Sequence, residues 1–108
     1  MDDLAPAVGT IISRCLAVRP REDVLVIVDD GTRAIGEALR ARASTVGADA
    51  VLTVMDEREN DGTEPPRPIA QALSGCDVFI APTTRSLSHT TARKRASDAG
   101  ARGATMPG

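Results

Sequence analysis

The sequence has no tryptophan, no tyrosine and a single phenylalanine, Phe79. Without aromatic side chains there is no platform on which nucleic-acid bases could stack, and a formal charge of −2 supplies no field to draw in a phosphate backbone. Nucleic-acid binding is therefore excluded as the chain's business. No apolar run approaches the length of a membrane span, and Met1-Asp2-Asp3 does not begin the basic, apolar and small-residue layout of a signal peptide. A cytoplasmic protein without a membrane partner is the expectation. There are two cysteines, Cys15 on an apolar helical stripe and Cys76 just before an apolar run, which read as small buried hydrophobes in a reduced protein. Histidine occurs once, as His89, and a metal site needs several converging ligands. Neither a Walker A loop nor a Gly-x-Gly-x-x-Gly run is present.

With aromatics missing, the core has to be built from Val, Leu, Ile and Ala. At 108 residues the chain is one domain, residues 1–108, able to bury about two-thirds of its unfolded surface. Its centre is Val24-Leu25-Val26-Ile27-Val28, an unbroken aliphatic run suited to a strand buried on both faces. Asp29, Asp30, Gly31 and Thr32 follow, then a helical pattern through Ile35, Ala38, Leu39 and Val46, which Asp30 or Thr32 can cap. The unit reads strand, polar turn, helix.

Before it, Leu4, Val8, Ile11, Ile12, Cys15 and Leu16 share one face of an amphipathic helix that ends before Arg19-Pro20. After it, Gly47 stands where a left-handed helix cap is wanted, and Ala50 to Met55 gives a second strand. Asp56 to Pro68 is a charged, proline-bearing loop; Arg58 breaks the alternating register that a calcium loop would need, so a solvated connection is the simpler reading. The next helix opens near Pro66 to Pro68, turns Ile69, Ala72 and Leu73 inward and stops at Gly75. Asp77 to Ala81 is the third strand. A helix from about Ser88 to Ala99 has Ala92, Ala96 and Ala99 inward, and Arg102 to Met106 starts a fourth short strand before Pro107-Gly108, an ending that suggests the first part of a longer chain.

Alternating strands and helices predict an α/β fold: an open parallel sheet of about four strands, three-layered, with helices on both faces. A flavodoxin-like order 2-1-3-4 places the first and third strands side by side, with the topological switch between their carboxyl ends; a Rossmann-like order would separate them. In the flavodoxin-like order the two polar turns share one crevice. The candidate ligand-binding residues there are Asp30, Thr32 and Arg33 from the first turn, and Thr83, Arg85, Ser86, Ser88 and His89 from the second. With Thr84 as a further donor of the second turn and the helix amides, they could hold a carboxylate or phosphate. The alternative is that the hydroxyls only cap the helix and the arginines are solvated.

Two familiar chemistries fail at this crevice. Asp30-Gly31-Thr32 is similar to part of a haloacid-dehalogenase-type phosphatase motif, but Val28 stands where the nucleophilic aspartate would be, and an aliphatic side chain cannot form an acyl-phosphate. The Val-Val-Asp-Asp-like start is similar to a response-regulator receiver, yet Ala81-Pro82 closes the third strand and offers no carboxylate to phosphorylate.

Asp29 to Ile35, Glu64-Pro65-Pro66, Ala81-Pro82-Thr83-Thr84-Arg85-Ser86-Leu87-Ser88-His89-Thr90-Thr91-Ala92-Arg93 and Gly100 to Gly108 together resemble the amino-terminal domain of the thermophilic-type metallo-aminopeptidases, the leucyl aminopeptidase or aminopeptidase T type. The likeness covers nearly the whole chain, and the Ala81 to Arg93 motif is its most specific part. It implies a longer hydrolase whose paired divalent metals are held by Glu, His, Tyr and Asp residues of a carboxy-terminal domain, which this sequence does not include. No metal ligand, catalytic residue or cofactor then falls within this chain, which would be inactive as a peptidase on its own. Its partner would be the missing catalytic domain or a second copy. A small anion- or metabolite-binding module, and an oligomerisation or partner domain docking through its alanine-faced last helix, are the alternatives.

Overall fold

The computed structural model describes residues 4–106. The inward placement expected of Leu4 and the turn expected at Pro107-Gly108 lie outside the described side chains and residues. Four parallel strands, β1 (Asp23–Val28), β2 (Asp49–Val54), β3 (Val78–Ala81) and β4 (Arg102–Thr105), lie in the order β2-β1-β3-β4. The helices are α1 (Leu4–Thr10), α2 (Arg33–Val46), α3 (Arg67–Gly75) and α4 (Thr91–Asp98). This is a three-layer α/β fold with the flavodoxin-like order, and the switch falls between β1 and β3.

Val24 to Val28 are all buried, because the two faces of β1 meet two separate cores. Val24, Val26 and Val28, with Val78 and Ile80, face Val8, Ile12 and Leu16 and the inner side of α2 at Leu39 and Ala43. Leu25, Ile27, Phe79 and Ala81 face Ile69 and Leu73 of α3 and Ala92 and Ala96 of α4. Period-two alternation thus splits one apolar run between two layers. The alanine face of α4 is spent on the sheet rather than offered to a partner, and Ala99, expected inward, is exposed.

The first helix departs from its expected face. It passes at Thr10 into a π-helical turn, Ile11–Cys15, closed by bonds such as Leu16 N to Ile11 O at 3.0 Å. Bonding from i to i+5 winds more residues into each turn, which brings Leu16 beneath Ile12 and swings Cys15 outward. Cys15 is consequently exposed, contrary to the reading of a buried hydrophobe, while Cys76 is half-buried. The last helix starts at Thr91 rather than Ser88, because Thr90 Oγ1 accepts the amide of Arg93 at 3.1 Å and fixes the cap there. Gly47 does adopt the left-handed cap, at φ 102°. Among the described residues no helix is long and apolar enough to cross a membrane.

At the amino ends of the strands a bidentate pair closes the sheet. Arg102 donates from Nη1 to Glu22 Oε2 at 2.8 Å and from Nη2 to Glu22 Oε1 at 2.6 Å. The same guanidinium reaches Leu16 O at 2.8 Å and Ala17 O at 3.1 Å, tying β4 to the segment that leaves the first helix. Ala17 and Arg21 hold left-handed backbone in that segment, at φ 47° and 72°. The hydrogen bond from Arg102 and its charge hold the Glu22 carboxyl well down, at about 2 against an ordinary 4.5, despite partial burial.

Two measurements check this packing. A side chain at Gly36 of α2 would drive its Cβ into Val28 Cγ1 and to within 3.1 Å of Leu52 Cδ1. Gly36→Val is expected to lose about 3 kcal/mol in urea unfolding, whereas Gly75→Ala, with open space around it, stays within about 1 kcal/mol of the parent. For the ion pair, a carboxyl whose pKa is lowered on folding contributes stability above its unfolded value and loses it as the pH falls through the folded one. Arg102 is 41% exposed, so solvent screening keeps the pair's charge contribution to about 1 kcal/mol. The stability cost of Arg102→Ala should shrink as pH falls from 4.5 to about 2, keeping only the part due to the Leu16 and Ala17 carbonyls.

Candidate functional site

The crevice at the carboxyl ends of β1 and β3 is organised by Asp29, the first residue after the central strand and only 1% exposed. Its Oδ2 accepts the Thr84 amide at 2.8 Å and its Oδ1 accepts the Thr84 hydroxyl at 2.9 Å. The same Oδ1 accepts the Gly31 amide at 3.1 Å, and the Thr32 hydroxyl lies 3.3 Å away. Thr32 Oγ1 in turn accepts the Asp29 amide at 3.2 Å, a reciprocal capping box around the 3-10 turn Asp30–Thr32 that opens α2. One carboxylate therefore joins two turns 55 residues apart in sequence. The two polar turns do share one crevice, and the cap is made by Asp29 with Thr32 reciprocating, not by Asp30.

Each residue expected in this crevice has a definite place. Asp30 is exposed, Thr32 is buried and spent on Asp29, and Arg33 is exposed with its Nε 3.5 Å from Glu37 Oε1. Thr83 is buried and donates to Arg85 O at 2.6 Å. Ser86 donates its hydroxyl to Ser88 Oγ at 2.9 Å, and Ser88 Oγ is bonded to Thr105 Oγ1 of β4. Arg85 and His89 are exposed. The hydroxyls of Thr83, Ser86 and Ser88 thus brace the turn and anchor it to β4, and the Arg85 and His89 side chains stand at its surface.

The loop between β2 and α3 also takes part. Glu64 accepts the first two amides of α4, Thr91 N at 2.7 Å and Ala92 N at 3.1 Å. The carboxylate expected at this helix end comes from the chain itself, where it meets the positive end of the helix dipole. Asp61 Oδ1 accepts Ser86 N at 2.9 Å, and Gly62 N donates to Ser86 O at 2.9 Å. The loop is therefore strapped across the β3–α4 turn rather than merely solvated. Sequence reasoning counted Thr84 among the donors of the second turn but missed the bracing roles of Asp29, Asp61 and Glu64. A signal for Asp29 was present, an acid placed three residues before Thr32 as a capping box requires; for Glu64, 27 residues from its partner, no local signal exists.

What the arrangement can do chemically is limited by these bonds. Cys76 donates its thiol to Leu73 O at 3.3 Å, and burial, with the fields of Asp77 and Asp23, pushes its pKa up to about 11, far from a reactive thiolate. Among the described residues no three His, Cys, Asp or Glu side chains converge as metal ligands do. The Asp29 clasp is testable on its own. Asp29→Ala leaves the partly buried Gly31 and Thr84 amides without their acceptor and is expected to cost about 2 kcal/mol in urea unfolding, with faster hydrogen exchange at both amides. Asp29→Asn should cost less, because its amide oxygen still accepts one of these bonds.

Compared with protein-family models, with curated proteins and with solved structures, the chain finds no match in any of the three.

Proposed function

We propose that this chain is a non-catalytic α/β domain of a metallo-aminopeptidase-like enzyme, one that walls a substrate cleft whose reacting groups belong to another domain. The observation that carries the reading is the way the crevice uses its polar groups. Asp29, Thr32, Thr83, Thr84, Ser86, Ser88 and Glu64 are bonded to one another or to backbone groups. A hydrolytic centre keeps a nucleophile or a general base within hydrogen-bond reach of its substrate. The groups standing exposed at this surface are Asp30, Arg33, Arg85 and His89, none of which carries the hydroxyl or thiol nucleophile that a base would activate. The Ala81 to Arg93 motif, which resembles the amino-terminal domain of that peptidase family, supports the same reading.

A second reading, an anion-binding module, is favoured by one observation: a carboxylate, that of Glu64, already sits on the first amides of α4. A free carboxylate or phosphate would have to displace it.

The test is to assay the purified chain with zinc or cobalt on a leucyl amide, and to measure the intact mass of the endogenous polypeptide. No hydrolysis above the metal-only rate and a polypeptide several times longer than 108 residues are expected. Tight multi-ligand metal binding with hydrolysis by the isolated chain would overturn the reading, as would an endogenous mass equal to that of this sequence. Binding of inorganic phosphate that Arg85→Ala abolishes and Arg95→Ala leaves unchanged would favour the anion module.

A further inference from the structure

Every strand of this sheet but one has the cover its burial demands. On one face α2 lies over β1 and β2; on the other, α3 and α4 lie over β1, β3 and β4, and among the described residues no helix packs over β2. Val51, whose side chain is on that second face beside Leu25, is 52% exposed. It forms the floor of a groove of about 330 Å³ with Leu25 and Thr53, and Ala72, Gly75 and Cys76 at the end of α3 make the wall. The groove is apolar along its length and acidic at one end. Asp23 and Asp49, both exposed and directly paired in register, close it there, and neither is in a salt bridge among the described residues. The carboxyl end of α3, at Gly75, points its negative pole the same way.

We infer that this bare face of β2 is a docking site for an amphipathic helix of a partner polypeptide, with an apolar stripe that ends in Lys or Arg. The size, layer and charge of the groove all select that occupant. Six residues of strand run about 20 Å, which about 13 residues of helix cover. A helix laid there completes the second layer in the manner of the other three strands. A cation at its end meets Asp23, Asp49 and the α3 terminus at once, where the partly desolvated surface strengthens the attraction. A second copy of the chain fits less well. Two β2 edges paired antiparallel would bring Asp49 of one copy toward Asp56 and Glu57 of the other, like charge to like, and would leave the layer above the groove still empty. This inference does not depend on the peptidase-like reading of the opposite end of the sheet.

The experiment is to pan a phage-displayed library of helical peptides against the intact chain, with sedimentation velocity run on the chain alone. Enriched peptides should present apolar residues at i, i+3, i+4 and i+7 with Lys or Arg at one end. Their affinity should fall about tenfold or more on Val51→Lys and on Asp49→Lys, and their amide shift changes should map to Val51, Thr53 and Gly75. Val51 is half-exposed at an edge, so Val51→Lys should keep the parent's urea transition, which is checked alongside. Failure to enrich, a pool without basic ends, or equal binding to Val51→Lys would overturn the inference. A chain dimer that Val51→Lys splits would also overturn it, because a second copy would then own the face.

Discussion

A single buried carboxylate sets the relation between the two halves of this fold. Asp29 ends the central strand, and four donors from Gly31, Thr32 and Thr84 surround its two oxygens. A carboxylate in so buried a place is tolerable only when its lone pairs are taken up. The turn after β3 is held at the distance that lets Thr84 supply both its amide and its hydroxyl. From there the hydroxyls of Ser86 and Ser88 carry the connection to Thr105 of β4, and Asp61 and Glu64 carry it back to the loop after β2. All four strands are coupled at their carboxyl ends through one polar chain of contacts.

Such a network explains why a crevice that looks rich in binding groups is poor in free ones. In open α/β sheets the switch point collects ligands because strand ends diverge there and leave amides and side chains unsatisfied. Here the divergence is bridged from within. What projects from the bridge is Arg85 and His89, with Asp30 exposed at the first turn, rather than a hydroxyl or a thiol.

Much of the architecture was legible in the residues. Val24 to Val28 read as a strand buried on both faces, Gly47 as a left-handed cap, and alternating elements as a parallel sheet, of whose two candidate orders the structure has β2-β1-β3-β4. What escaped depended on contacts that local pattern does not encode. The π-helical turn exposes Cys15 although its spacing is that of an α-helical stripe. The start of α4 moved to Thr91 because Ser86 and Ser88 bond to each other and to β4 instead of capping. Glu64 looked like one more solvated acid, since its partners lie on the far side of a helix and a strand. The bare face of β2 was invisible for a different reason: Ala50 to Met55 reads as a strand without showing which layers cover it, and it is the sheet order, with Val51 52% exposed, that reveals the uncovered side.

The separation of Asp29 from Thr84 also orders events in time. A chain made from its amino end completes β1, α2 and β2 while the partner of Asp29 is still tens of residues from being synthesised. The nascent unit then has a half-formed sheet with its pivotal carboxylate solvated by water and its inner edge, later covered by β3, open to other strands. Closing that gap means shutting a loop of about 50 residues, an entropic cost that grows slowly with length but must be met before the long-range contacts repay it. The interaction that unifies the finished domain is thus among the last to form, and the interval before it is when the chain is most exposed to mispairing.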